Sequence, residues 1–108
     1  MELKSFKQNE ITIFQITGEI NISTSPDLKK NFETMPSLKI VIDLEKVGYV
    51  DSSGLATLVE ILKKSKSQGG QLALACMSDK VKSLFEITKL DKLFSIFATQ
   101  QLALAKLG

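Results

Sequence analysis

A β-branched run, Ile40-Val41-Ile42-Asp43-Leu44, is joined to an amphipathic run by the step Val50-Asp51-Ser52-Ser53-Gly54-Leu55. The first run reads as a buried strand. In the second, Leu55, Leu58, Val59 and Leu62 fall at i, i+3, i+4 and i+7, one face of a helix over about residues 52–66. A buried strand that feeds a long amphipathic helix constrains the chain to a layered α/β architecture. Backbone N–H groups at such a junction lack partners, and the helix dipole favours negative charge there. A serine hydroxyl at that point is exposed, held in place and able to carry a phosphate. Ser52 is therefore the candidate functional residue.

The remaining segments fit the same plan. Residues 3–6 are a candidate first strand, and residues 11–17 form a second that Gly18 ends. Ser25 is expected to cap the next helix, with Pro26 at its first position and Asp27 complementing its dipole. Leu28, Phe32 and Met35 line its inner face, and Met35-Pro36-Ser37 closes it. Gly69-Gly70 ends the long helix, with one of the two left-handed. Residues 71–76 are the next strand, ending in Cys76 as a small buried hydrophobe. Ser78 caps a third helix whose Val81, Leu84 and Phe85 face inward. Leu90, Leu93, Phe94, Ile96 and Phe97 make an apolar return with a short strand. A last helix over about 99–107 presents Leu102 and its neighbours. The order predicts a mixed, mostly parallel sheet of four to five strands, flanked by about four helices, in one domain spanning residues 1–108.

Absences narrow the chemistry. The 108 residues contain no histidine and one cysteine, which excludes Ser-His-Asp and Cys-His mechanisms within the chain and leaves no usual zinc or copper site. The phosphate loops Gly-x-x-x-x-Gly-Lys and Gly-x-Gly-x-x-Gly do not occur. Neither does Ser-x-x-Lys, and position 50 is valine where a nucleophile elbow needs glycine. The chain is thus not expected to be an enzyme or to need a cofactor or metal. A net charge of +2, with lysines scattered among acids, gives no nucleic-acid stripe. The start of the chain lacks a signal peptide's apolar core, and no run is long enough to span a bilayer, so a cytoplasmic location without membrane insertion is expected. Lys29-Lys30 and Lys63-Lys64 read as solvated helix faces.

Several of these pieces recur together in a known family. Gly18-Glu19-Ile20-Asn21, the strand at 40–44, Tyr49-Val50-Asp51-Ser52-Ser53-Gly54-Leu55 and Gly69-Gly70 resemble, in that order, the STAS domains shared by sulfate transporters and anti-sigma factor antagonists. The resemblance is to the stand-alone bacterial antagonists and covers about residues 3–107. It implies a phosphorylation-controlled partner switch. The unphosphorylated antagonist binds an anti-sigma factor that is also a serine kinase, and the sigma factor is freed. Phosphorylation ends that binding, and a metal-dependent serine phosphatase restores it. The family's phosphoacceptor maps onto Ser52, with Asp51, Ser53, Gly54, Glu19 and Asn21 as expected partner-binding residues. One departure is Asn21, where the family usually carries Asp; it bears on partner choice and phosphorylation rate rather than on the fold.

Other readings of the same residues stand beside this one. Ser52 or Asp51 can simply cap the helix, although neither finds Glu or Gln at N3 to complete a capping box. Asp51 can instead orient the hydroxyl or shape the kinase contact. Gly54 admits close approach by a partner or a neighbouring loop, or plain packing. STAS domains also serve as interaction subunits of transporters or sensory scaffolds, and a nucleotide-binding module is a further alternative, though no phosphate loop supports it.

Overall fold

Buried residues on both faces place the 40–44 run at the middle of the sheet. The computed structural model describes residues 1–33 and 38–108. Among these, β1 (Glu2–Gln8) pairs antiparallel with β2 (Ile11–Thr17), which runs parallel to β3 (Lys39–Lys46). β4 (Gln71–Ala75) and β5 (Ser95–Phe97) continue the parallel run, so the order in space is the order in sequence. The helices are α1 (Ser25–Glu33), α2 (Ser52–Ser67), α3 (Asp79–Ile87) and α4 (Gln100–Leu107). A short 3-10 turn, Leu90–Lys92, precedes β5.

Strand periodicity sorts the core into two layers. Phe14, Ile16, Ile42 and Leu74 point to one face and pack with Leu28 of α1, Leu58 of α2 and Phe85 of α3. Ile11, Ile13, Val41 and Ala73 point to the other and pack with Ala103 and Leu107 of α4. Sequential parallel strands joined by crossovers of one hand put all three crossover helices on one face, and α4 then covers the opposite one. Phe14 stacks on Phe32 with ring centroids 4.6 Å apart, fixing α1 to the sheet. Lys29 and Glu60 pair at 3.0 Å across α1 and α2. That exposed pair orients the helices more than it stabilises them.

The expected α/β order holds, with local differences. β1 is longer than residues 3–6 because it pairs with β2 along its whole length, through a tight turn at left-handed Asn9. Helix α1 begins at Ser25 rather than being capped by it: the Thr24 carbonyl accepts the Leu28 N–H, and Pro26 falls one position later than expected. The Ser25 hydroxyl is buried and has no hydrogen bond among the described residues. Gly69 is the left-handed glycine after α2, with φ +76°. Ser78 does cap α3, accepting the Val81 N–H at 3.2 Å. Val81 and Phe85 are fully buried, but Leu84 is only half-buried. Leu102 faces solvent, while its neighbour Ala103 carries the packing of α4. Met35, Pro36 and Ser37, expected to line and close the first helix, lie outside the described residues.

Candidate functional site

At the C-terminal end of the parallel strands, two loops close over the start of α2. The chain leaves β2 at Gly18, whose φ of +108° turns it sharply, and its N–H donates to the Lys46 carbonyl at 3.0 Å. Ile20 then lies beside Val50 as an isolated parallel bridge. The Ile20 N–H donates to the Tyr49 carbonyl at 3.1 Å, and the Asp51 N–H donates to the Ile20 carbonyl at 3.0 Å. The two loops thus extend the sheet by one rung at the point where α2 begins.

Asp51 is the N-cap of α2, with extended backbone at φ −88° and ψ −178°. Its Oδ1 accepts the Gly54 N–H at 2.8 Å, satisfying one of the helix's unpaired donors. Its Oδ2 accepts the Ile22 N–H at 3.1 Å, tying the 18–24 loop to the helix. Ser52 is consequently the first helical residue and not the cap. Its side chain is exposed, and no hydrogen bond holds its hydroxyl among the described residues.

The loop on the other side is organised by Asn21. Its Oδ1 accepts the N–H groups of Ser23 at 2.9 Å and Thr24 at 3.1 Å. The Thr24 hydroxyl accepts the Asn21 N–H at 2.9 Å and donates to the Glu19 carbonyl at 3.0 Å. This is an Asx turn, which either asparagine or aspartate can make through one side-chain oxygen. The neutral side chain is therefore compatible with the turn.

The residues singled out from sequence gather here in different roles. Ser52 and Glu19 are exposed, Asn21, Asp51 and Ser53 are half-buried, and Gly54 is buried. Gly54 lies beneath the Ile20 backbone, so the close approach it permits is that of a neighbouring loop. Two apolar side chains stand exposed beside these residues: Ile22, which was not singled out from sequence, is 72% exposed and Tyr49 is 37% exposed. The Lys80 ammonium sits 5.5 Å from the Tyr49 ring centroid, joining the start of α3 to this end of the molecule. An isoleucine flanked by the polar residues Asn21 and Ser23 was the available signal for Ile22.

Across the sheet, beside the start of α4, lies a polar hollow lined by Asp43, Glu45, Cys76 and Gln100. The buried Asp43 carboxylate accepts the Glu45 N–H and the Gln100 amide, both at 2.9 Å. Cys76 is not in the strand as expected. It follows β4 in a left-handed conformation with φ 63° and is only half-buried. Burial first, and the Asp43 charge second, push its thiol above the usual range. The thiolate is the reactive form. Cys76 in the folded protein is thus expected to react with iodoacetamide at pH 8 more slowly than in the urea-unfolded chain. Equal rates would remove the burial argument. Among the described residues no group of three or more His, Cys, Asp or Glu side chains could hold a metal ion, and no helix is long and apolar enough to cross a membrane.

Comparison with known proteins agrees with this layout. The chain is 34% identical over 99 residues to the anti-sigma-B factor antagonist of Listeria monocytogenes, covering 89% of this chain and 86% of that one. It is 36% identical over 98 residues to the anti-sigma-B factor antagonist of Bacillus subtilis, covering 88% and 90%. A crystal structure of a putative anti-sigma factor antagonist from Thermotoga maritima superposes with a TM-score of 0.92 at 28% identity, covering 97% of this chain and 93% of that one. The model of the STAS domain matches residues 4–103. The chain belongs to the STAS domain family.

Proposed function

We propose that this protein is an anti-sigma factor antagonist, switched by phosphorylation of Ser52. In its unphosphorylated form it binds an anti-sigma factor that is also a serine kinase, and so releases the sigma factor. Phosphate on Ser52 ends that binding, and a serine phosphatase restores it. The protein is a regulatory binding partner and not an enzyme.

One observation supports the reading above the others. Asp51 already caps α2, so capping does not account for Ser52. The Ser52 hydroxyl stands exposed at a helix N-terminus, where a phosphate meets unpaired N–H groups and the positive end of the dipole. Among the described residues no hydrogen bond holds that hydroxyl, so the base and the ATP are assigned to the partner. The names of the relatives in Listeria and Bacillus point to the same partner class.

The test is direct. Incubating the protein with the histidine-kinase-like serine kinases of its own proteome and labelled ATP is expected to phosphorylate Ser52. Ser52→Ala is expected to take no label yet still bind the same kinase. Undiminished labelling of Ser52→Ala would place the site elsewhere.

A further inference from the structure

Beside Ser52 the 18–24 loop is held by a dense set of hydrogen bonds around the buried Ile20. Asp51 clasps it through the Ile22 N–H, Asn21 and Thr24 tie its own turn, and Ile20 is bonded into the neighbouring loop on both sides. The side chain presented by this rigid loop is Ile22, the most exposed large apolar group of the site at 72%. Among the described residues neither packed cluster includes that side chain. Apolar anchors held in their bound geometry lose little freedom on docking, which is where recognition energy concentrates.

We infer that Ile22 is the apolar anchor by which the unphosphorylated protein docks to its anti-sigma kinase, and that Asp51 is a positioning residue that holds Ile22 in place. This rests on the reading of Ser52 as the switch. The occupant is the kinase and not a second copy of this chain, because Ile22 is bonded through its backbone to the residue adjoining Ser52. A kinase that phosphorylates Ser52 has to seat its own surface over this end of the molecule, where Asp51 holds the exposed Ile22. Asp51 acts through Ile22 because both its carboxylate oxygens are already engaged by N–H groups of this chain. Phosphate at Ser52 then places a dianion at the rim of the same apolar contact, and anchor and switch are read by one surface.

The experiment uses the purified kinase that labels Ser52, titrated calorimetrically without ATP against the full chain. Ile22→Ser is expected to bind roughly ten- to hundredfold more weakly, the loss corresponding to one buried aliphatic side chain, with an unchanged melting temperature. Ile22→Val is expected to recover most of the affinity. Asp51→Ala is expected to weaken binding and speed hydrogen exchange at the Ile22 amide. The double variant is expected to bind about as weakly as the weaker single one. Wild-type affinity in Ile22→Ser, with binding lost in Ser52→Asp, overturns the anchor and leaves the switch standing. Wild-type affinity in both, or no kinase that labels Ser52, overturns the switch and the anchor together. Fully additive losses for Asp51→Ala and Ile22→Ser overturn the positioning role, because they would make Asp51 a direct contact.

Discussion

Ser52→Asp is expected to weaken binding to the anti-sigma kinase more than a hundredfold while the protein melts within a few degrees of wild type. The two halves of that expectation come from opposite sides of one residue. Towards the fold, a carboxylate at the first helical position meets the positive end of the α2 dipole, a favourable contact of about 0.3–1 kcal/mol. Repulsion from neighbouring Asp51 offsets part of it, so net stability changes little. Towards the partner, a surface that fits a bare hydroxyl has to desolvate a charge beside a second carboxylate. Unpaired interfacial charge costs several kcal/mol, and about 3 kcal/mol already exceeds a hundredfold in affinity. Phosphate carries about −1.5 to −2 charges and is expected to act more strongly than aspartate. Calorimetric titration with parallel thermal melts checks both halves. Wild-type affinity would remove the electrostatic switch, and a collapsed melting temperature would mean that binding was lost through unfolding.

Such a switch needs no rearrangement, because the elements around Ser52 are fixed independently of it. Asp51 caps the helix, Ile20 locks the two loops together, and the hydroxyl projects from a completed frame. Phosphate on Ser52 would then change what a partner meets and leave the protein's packing alone.

Much of this frame was legible in the sequence. The β-branched run at 40–44 announced a strand buried on both faces, and the periodicity from Leu55 announced the helix. Their junction put Ser52 at the start of the helix, which is where it stands. What was not legible depends on contacts distant in sequence. Asp51 and Ile22 are 29 positions apart, and only the register of the 18–24 loop against the 46–51 loop decides which carboxylate oxygen meets which N–H. For the same reason Ile22 was not singled out from the sequence. Ser25 misled because serine before proline is a strong cap signal, whereas the Asx turn at Asn21 lets the helix start one residue earlier, with Ser25 as its first residue. Cys76 misled because an apolar run reads as strand up to its last residue, and a left-handed turn there has no signature without glycine.

Gly54→Ala tests that distant docking most sharply, and it is expected to destabilise the protein by about 2 kcal/mol despite alanine's better helix propensity. In an exposed helix the same change would stabilise by about 1 kcal/mol, so the two effects have opposite signs and the outcome discriminates between them. A methyl group at position 54 would stand 2.5 Å from the Ile20 carbonyl oxygen, 2.8 Å from Val50 Cγ1 and 2.9 Å from Ile20 Cγ2. The carbonyl cannot withdraw freely, because it accepts the Asp51 N–H at 3.0 Å. Relief therefore requires the 18–24 loop to lift away from α2, straining the Asp51 clasp and moving Ile22 with it. Thermal unfolding is expected to shift down by about 8–16 °C, taking the usual sensitivity of a domain near this size. Affinity for the kinase is expected to fall as well, with Ser52 chemically untouched. A Gly54→Ala protein that melted at or above the wild-type temperature would mean that the loop yields easily, and the rigid platform on which the switch depends would be lost with it.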